Sequence, residues 1–175
     1  MNDSISVDIE ACGQVVLSIG ACKFNEETGV IGETFYSVLG VNEQIKRGLQ
    51  MDAGSFNWWL KQSDVARQAL SGEQEPVKDA LKRLEQFAQP HGSRVWAYPT
   101  SYDLPIIANL CGVYGVRVPW KWTETMCART LWKLAMQHQP GIERIESENP
   151  LPHHALEDAK EQARWITAYL KAVLT

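Results

Sequence analysis

The chain has 175 residues, of which 45% are hydrophobic, and this composition suits one compact domain, 1–175, with a sizeable core. Its net charge of −4 argues against a broad cationic face for long nucleic acid and favours attraction at a local site. Because no stretch approaches the roughly 20 apolar residues of a membrane span and no signal-peptide pattern is present, we expect no membrane partner and a cytoplasmic location.

The first predicted elements in chain order are strands. Residues 4–10 alternate between apolar and polar side chains, the pattern of a strand with one face in the core. The segment VVLSIGACKF from Val15 and the segment TFYSVL from Thr34 predict two more strands, separated by turns at Gly13 and NEETG. An antiparallel meander therefore opens the fold.

Helical periodicity follows the meander. The segment SFNWWLKQSDVARQAL predicts one amphipathic helix over residues 55–70, with an apolar face formed by Phe56, Trp59, Leu60 and Val65. The segment PVKDALKRLEQFAQ predicts a second helix that starts at Pro76, with an apolar face formed by Val77, Leu81, Leu84 and Phe87.

The second half of the chain mixes strands and helices. RVWAY predicts a short strand that leads into a helix containing Leu104, Ile107, Ala108 and Cys111, after which GVYGVRVPW returns towards the sheet. TLWKLAMQH predicts another helix, and PGIERIESENPLP predicts a polar loop bounded by prolines. The last helix has an apolar stripe of Leu156, Ala159, Ala163, Ile166, Leu170 and Val173. This order indicates α/β or α+β layering with helices packed on a sheet.

Two acids on the first strand are candidates for chemistry. Asp8 and Glu10 are two residues apart, so their carboxylates project from the same face and can share one cation or bridge two. The alternative is an ordinary solvated strand face. Asp-x-Glu by itself is a weak signal.

Two further acids and a histidine pair occur later in the chain. Asp103 follows a strand and is either a functional acid or a helix N-cap, whereas Asp158 flanks the apolar stripe of the last helix or is a surface acid. His153 and His154 precede that helix, and a neutral imidazole is suited to deprotonating a water. Four acids that converge from separate elements would suit Mg²⁺ and two-metal phosphoryl transfer.

These motifs together resemble a known family. Asp8-Ile9-Glu10, Ser101-Tyr102-Asp103 and the segment HHALED over residues 153–158 are similar to the DEDDh group of DnaQ-like 3′–5′ exonucleases. The resemblance covers nearly the whole chain, and it is closest to a branch with a WWLKQ-like segment, here residues 58–62. It implies the α/β ribonuclease H-like fold, in which an antiparallel meander is followed by parallel strands and the mixed central sheet is flanked by helices.

The resemblance also implies roles for the site residues. It makes metal ligands of Asp8, Glu10, Asp103 and Asp158, which would hold two Mg²⁺ ions with Mn²⁺ as a substitute, and makes His153 the general base. The implied reaction is hydrolysis at the 3′ end of single-stranded nucleic acid or short oligonucleotides, RNA or DNA, releasing nucleoside 5′-monophosphates. A homodimer is also expected from the resemblance. The alternative is a non-catalytic binding module for nucleic acid or protein on the same fold.

Helical geometry offers a rival to His153. His154 and Asp158 are four residues apart and would share a helix face, whereas His153 would diverge from Asp158 by about 140° on a continuous helix. His153 therefore works only from a loop that precedes the helix. Pro152 favours an extended conformation at the residue before it and is compatible with such a loop.

Aromatic and basic residues supply candidate substrate contacts. Trp58 and Trp59 are adjacent on a helix, so both cannot face the core equally, and Trp58, Phe56 or Tyr102 would contact a terminal base. Candidate phosphate contacts are Lys46, Arg47, Lys61 and Arg129, of which Arg129, in an otherwise apolar stretch, is expected to be a buried structural partner.

The cysteines show no metal or redox spacing and are expected to be reduced and mostly buried. Two positions depart from the family pattern: Tyr98-Pro99 stands where relatives have an Asn-Gly-like turn, and Cys127 stands where they often carry an acid. Both departures concern substrate positioning, since neither replaces one of the four acids.

Overall fold

The computed structural model describes residues 3–139, 141–142, 149 and 151–174, with only the backbone described at 3 and 69. Its strands are β1 Asp3–Cys12, β2 Val15–Asn25, β3 Ile31–Leu39, β4 Gln74–Glu75, β5 Val95–Ala97 and β6 Thr125–Cys127. Its helices are α1 Val41–Lys46, α2 Ala53–Trp59, α3 Asp64–Ala69, α4 Val77–Phe87, α5 Asp103–Tyr114, α6 Ala128–His138 and α7 Ala155–Leu174, with a 3₁₀ turn at Trp122–Glu124.

The strands form one mixed sheet in the order β4-β3-β2-β1-β5-β6. The pairs β1–β2 and β2–β3 are antiparallel, whereas β1–β5, β5–β6 and β3–β4 are parallel. This arrangement confirms the predicted meander followed by parallel strands. It also places β1 inside the sheet, with hydrogen-bonded neighbours on both sides.

Helices cover both faces of the sheet. One face of β1, with Val7 and Ile9, packs into a core with Leu81 and Leu84 of α4 and with Ile107 of α5. A second cluster lies on the opposite face, where α6 and α7 pack together over β2 and β5 through residues such as Cys22, Trp96, Leu131, Ala163 and Ile166. The polar face of β1 therefore lies under α7 and is not a solvated surface.

The predicted single helix over residues 55–70 is wrong. The chain forms α2 and α3 instead, because the Ser63 side chain accepts a hydrogen bond from the Ala66 N–H and caps a new helix. Of the predicted apolar face only Trp59 is buried, whereas Phe56, Leu60 and Val65 are exposed.

Other helices follow the prediction closely, and some short elements were not predicted. The expected helices at α4, α5, α6 and α7 are confirmed. The segment GVYGVRVPW contains the end of α5, which stops at Gly115 in a left-handed conformation, and the returning strand is β6 further along. The elements α1 and β4 had no prediction. Most of the expected polar loop over residues 140–152 lies outside the described residues.

The helices in the described part of the chain include none with the length and apolar character needed to cross a membrane.

Candidate active site

The first two acids lie on the buried polar face of β1. Asp8 pairs with Gly20 and Glu10 with Ser18 on the antiparallel neighbour β2, and the register shifts immediately after Glu10. The Glu10 side chain is buried, at 7% exposure, and Asp8 is partly buried. Because Val7 and Ile9 on the other face are locked in the core, the two carboxylates have a rigid base.

The third acid, Asp103, lies on the helix that follows β5, the strand next to β1. Asp103 is the first residue of α5, six residues after the end of β5, and it is 3% exposed. Tyr102 is the N-cap residue and makes no side-chain cap hydrogen bond, so the capping interpretation of Asp103 does not hold. One carboxylate oxygen, Oδ2, is buried with no hydrogen-bond partner among the described residues. An orphaned buried acceptor of this kind is suited to a cation.

The fourth acid reaches the site because α7 approaches the sheet very closely. A Cβ on Gly20 would lie 2.2 Å from the backbone of both Ala155 and Leu156, so only glycine allows this contact. Gly20 is the β2 partner of Asp8. The first turn of α7, which carries Asp158, is therefore held directly beside the β1 acids.

His153 and His154, at the start of α7, have different ring contacts. His153 has a positive φ of 65° and precedes the helix, and its backbone N–H donates to Asp158 Oδ2 at 3.1 Å. Its ring contacts Trp58, with a centroid distance of 4.8 Å and an edge-on geometry. His154 instead lies at the helix N-terminus, where its carbonyl accepts from the Asp158 N–H and its ring stacks on Tyr36.

These elements bring a cluster of possible ligands together. One ligand atom each from Glu10, His153 and Asp158 lie within 4.8 Å of one another. Asp8 and Asp103 belong to the same electrostatic cluster, because the Asp103, Glu10 and Asp158 charges all act on Asp8. Carboxylate oxygens with an imidazole nitrogen are a fitting donor set for divalent cations.

Burial raises the pKa of every one of the four acids, and repulsion by the neighbouring acids adds to this at Asp8 and Glu10. Burial is the largest cause at each, and it raises the pKa of Glu10 to about 9 and that of Asp103 to about 7. The pKa of Asp8 rises well above its ordinary value through burial and then through the Asp103 charge. For Asp158, burial outweighs the opposing hydrogen bond from Asn149. A site that disfavours its own negative charge in this way is stabilised by bound cations.

Three polar residues around the acids were not predicted. Gln162 Nε2 donates to Asp8 Oδ1 at 2.7 Å, and Asn149 Nδ2 donates to Asp158 Oδ1 at 2.5 Å. The Asn149 N–H also donates to Glu161 Oε1. One signal was available in the sequence: Gln162 is a polar residue four positions after Asp158, on a helix face that is otherwise apolar.

An aromatic cavity opens beside Glu10. It has a volume of about 410 Å³, and its walls include Trp58, Trp59 and Tyr102. Trp59 is buried and its Nε1 donates to the Ala11 carbonyl, which ties α2 to β1, whereas Trp58 is 43% exposed. Phe56 is also exposed, but it does not line this cavity.

The four candidate phosphate contacts lie in different places. Arg47 packs over Tyr114 and donates to the Val113 carbonyl, at the far end of α5 from Asp103, and Lys46 and Lys61 are exposed. Arg129 is exposed on α6, so its prediction as a buried structural partner is wrong. Its guanidinium lies 5.0 Å from the centre of the Tyr98 ring, and its charge acts to lower the pKa of Asp103.

The cysteines are all free, and three of them are buried, as expected. Cys127 is the partly buried exception and is the N-cap residue of α6. Hydrogen bonds from Thr130 and Thr100 outweigh burial there and lower the pKa of its thiol to about 7.

A sequence family matches almost the whole chain. The profile of the family described as the 3′-5′ exoribonuclease Rv2179c-like domain matches residues 3–170. The chain belongs to this family. It is a hydrolytic nuclease of the 3′–5′ exonuclease class, and no curated protein sequence matches it.

Solved structures show the same fold. The nuclease domain of 3′hExo, a DEDDh family member bound to rAMP, is 15% identical with a TM-score of 0.60, and the match covers 97% of this chain and 92% of that one. Exonuclease X in complex with 5′ overhanging duplex DNA is 16% identical with a TM-score of 0.56, covering 95% and 90%. Exonuclease I is 12% identical with a TM-score of 0.68, covering 98% of this chain but only 43% of its own length. The chain has the ribonuclease H-like fold of the DEDDh exonucleases.

Proposed function

We propose that the protein removes nucleotides one at a time from the 3′ end of single-stranded RNA or short oligonucleotides and releases nucleoside 5′-monophosphates. The observation that carries this proposal is the convergence of Asp8, Glu10, Asp103 and Asp158 with His153 beside an aromatic cavity. These acids come from three separate elements, and grouping them with raised pKa values destabilises the fold unless a cation binds them.

The preference for RNA rests on the family description, which names an exoribonuclease. Structural neighbours are divided, since one contains rAMP and another contains duplex DNA. Every sugar of RNA carries a 2′ hydroxyl that DNA lacks, so a contact to that group is the direct means of discrimination. Tyr102 and the exposed edge of Trp58 are the groups at the cavity that a terminal ribonucleotide would meet.

Divalent cations fit the donor set and would be held by the four acids. When bound, they supply Lewis-acid stabilisation of negative charge on the phosphodiester and activation of water, and we propose two Mg²⁺ ions with Mn²⁺ as a substitute. Asp8 and Glu10 would bind the cations from the rigid strand β1, and Asp103 and Asp158 would bind them from the first turns of α5 and α7. Glu10 and Asp103 are buried and Asp8 and Asp158 are partly buried, which limits contact with bulk water and strengthens each electrostatic interaction.

His153 is the proposed proton acceptor. His153 precedes the helix with a positive φ, and its ring contacts Trp58 at the edge of the site. The backbone N–H bond to Asp158 fixes the main chain at that point, so the imidazole is held relative to the acids. A ring nitrogen so placed can take the proton of an attacking water.

Attraction of the substrate is local in this proposal. The net charge of −4 means that the whole surface does not attract phosphates. Arg129 is the candidate cation for this role, because its charge acts on Asp103. This arrangement favours chain ends and short oligomers over long nucleic acid.

The experiment compares 5′-labelled and 3′-labelled RNA and DNA of one sequence, single-stranded and duplex, with Mg²⁺, Mn²⁺ or EDTA. We expect a ladder from the 5′-labelled single strands, labelled mononucleotide from the 3′-labelled ones, and faster hydrolysis of RNA. Asp103→Asn, which retains the shape of the side chain, is the matched inactive control. Internal cleavage or hydrolysis that survives EDTA would refute the proposal.

A further inference from the structure

A single buried amide reaches the acids from the middle of α7. Gln162 is only 4% exposed and lies on the helix face formed by the buried residues Ala155, Ala159, Ile166 and Tyr169. Apart from Asp158, one turn earlier, the neighbours of Gln162 on that face are apolar or aromatic. A glutamine at this position gives up hydration and side-chain freedom, so its contacts must offset that loss.

The amide makes one direct contact with the acid cluster. Gln162 Nε2 donates to Asp8 Oδ1 at 2.7 Å, and the bond joins residues 154 positions apart in the sequence. The orientation of the amide follows from chemistry, since turning it would place Oε1 against a carboxylate oxygen. Gln162 is also i+4 from Asp158, so both side chains leave α7 on one side.

The other half of the amide has no partner in the described part of the protein. Gln162 Oε1 is fully buried and accepts no hydrogen bond there, although buried acceptors are normally satisfied. The Gln162 side chain lines a cavity of about 250 Å³ whose walls include Asp8, His153 and Asp158. Gln162 therefore lies beside the space in which the proposed chemistry takes place.

We propose that Gln162 is a positioning residue that holds Asp8 in the orientation needed to bind a divalent cation. This inference rests on the proposed function and assigns the residue that completes its site. The charges of Glu10, Asp103 and Asp158 all act on Asp8, and repulsion of this kind favours rotation of its carboxylate away from them. Gln162 opposes that rotation with a neutral donor and adds no cation of its own that would compete with the metal.

The position of Asp8 makes this contact important. Asp8 is opposite Gly20, where the helix touches the strand, so the strand and α7 are already in fixed relation before any ligand binds. Because α7 and β1 are held in place, the hydrogen bond from Gln162 fixes the position of Asp8 Oδ1. Groups of this kind orient ligands and are worth about 10–100-fold in metal affinity or activity.

The test measures Mn²⁺ affinity in the full chain without substrate, by titration calorimetry or electron paramagnetic resonance. Gln162→Met has nearly the same length but cannot donate, and we expect it to weaken Mn²⁺ binding by about 10–100-fold. With substrate present, the Mg²⁺ concentration for half-maximal rate should rise by a similar factor, and kcat at saturating Mg²⁺ should recover most of its value.

The matched control is Gln44→Met. Gln44 is also a fully buried glutamine, but its amide bonds to the Val16 backbone N–H and carbonyl in the other core. This substitution should lower the melting temperature and leave Mn²⁺ affinity unchanged. Gln162→Asn serves as a second variant, because it retains the amide but is too short to reach Asp8, and we expect the same loss of affinity.

Wild-type Mn²⁺ affinity in the folded Gln162→Met or Gln162→Asn variant would overturn the inference. Equal losses of Mn²⁺ affinity in Gln162→Met and Gln44→Met would also overturn it. If Gln162→Met does not fold, Gln162→Asn decides. Failure of the proposed function looks different: the wild-type protein would bind Mn²⁺ tightly but hydrolyse no oligonucleotide. Absence of Mn²⁺ binding in the wild-type protein would overturn both.

Discussion

The His154 ring lies almost parallel to the Tyr36 ring, with centroids 4.3 Å apart and an interplanar angle of 19°. This stack joins the start of α7 to β3, while the preceding residue, His153, lies at the cavity that contains Asp158. Two adjacent histidines therefore have different environments. One ring packs on the sheet and the other lies at the acids, and this division favours His153 as the proton acceptor.

The first prediction ranks the two histidines by substitution. We expect His153→Ala to lower kcat by about 10²–10⁴-fold, the usual contribution of a general base. His154→Ala should lower the melting temperature, through loss of the Tyr36 stack, and have a milder effect on kcat. Single-turnover rates at saturating Mg²⁺ measure the chemical step directly.

Mn²⁺ affinity distinguishes two reasons why His153→Ala would lower kcat: loss of a general base or loss of a metal ligand. If the residue acts as a base, the His153→Ala variant should bind Mn²⁺ as the wild-type protein does. A large loss of Mn²⁺ affinity would make the imidazole a metal ligand, which its position near Glu10 also permits. A slower rate for His154→Ala than for His153→Ala would reject the assignment of the base.

The parts of the fold that were predictable have strong local signals. The alternation of apolar and polar residues over residues 4–10 predicted a strand with one face in the core. The apolar stripe of α7 predicted a long helix packed on the sheet. The break between α2 and α3 depends on one serine cap within an apolar pattern, which the periodicity obscured. Strands of two and three residues, such as β4 and β6, are too short to have a period.

The grouping of the candidate site residues was predictable only where local geometry determines it. Strand alternation placed Asp8 and Glu10 on one face, and resemblance added their role, whereas Asp103 and Asp158 depended mainly on resemblance because their approach is a tertiary event. Gln162 was missed because its bond to Asp8 spans most of the chain. Arg129 was expected to be buried because its neighbours are apolar, but the first turn of α6 directs it to solvent.

The second prediction concerns the contact between β2 and α7. Gly20→Ala should destabilise the protein and abolish activity, because its Cβ would lie 2.2 Å from the backbone at Ala155 and no side-chain motion relieves a backbone clash. Gly32→Ala is the matched control, since the nearest atom would be 3.6 Å away on another strand. Thermal unfolding and Mg²⁺-dependent hydrolysis of both variants test the contact, and a Gly20→Ala protein as active as Gly32→Ala would disprove it.

The third prediction is that the metal-free protein loses stability as the pH rises. The pKa of Asp103 is raised to about 7 and that of Glu10 to about 9, so folding favours their protonated forms. Stability from this source is fully present below the ordinary carboxyl pKa and is lost as pH rises through the raised values. Melting temperatures in EDTA should therefore fall between about pH 5 and pH 9.

Two comparisons identify the acids as the cause of this pH dependence. Saturating Mg²⁺ should stabilise the protein more at high pH than at low pH, because cations bind the ionised carboxylates. Glu10→Gln should flatten the pH profile in EDTA, because the group with the higher pKa no longer ionises. A melting temperature in EDTA that rises over the same range would contradict the burial of these acids.

The fourth prediction concerns the exposed tryptophan beside the site. Trp58 lines the cavity next to Glu10 and contacts His153 edge-on. Trp58→Ala should therefore remove the surface proposed for the terminal base, together with the ring contact to His153. Stacking on an aromatic side chain is worth about 1–3 kcal/mol per base, which corresponds to a rise in KM of roughly 5–150-fold. We expect kcat to fall as well, because the imidazole loses a constraint.

The matched control for this variant is Phe56→Ala. Phe56 lies on the same helix and has a similar exposure, 47% against 43% for Trp58, but it does not line the cavity. Its removal should leave KM and kcat near their wild-type values, so the pair separates a substrate contact from a general loss of aromatic surface on α2. Binding of a short single-stranded RNA with Ca²⁺ in place of Mg²⁺, measured by fluorescence anisotropy, isolates affinity from turnover. If KM is unchanged in Trp58→Ala, or rises equally in both variants, the terminal base does not stack on Trp58.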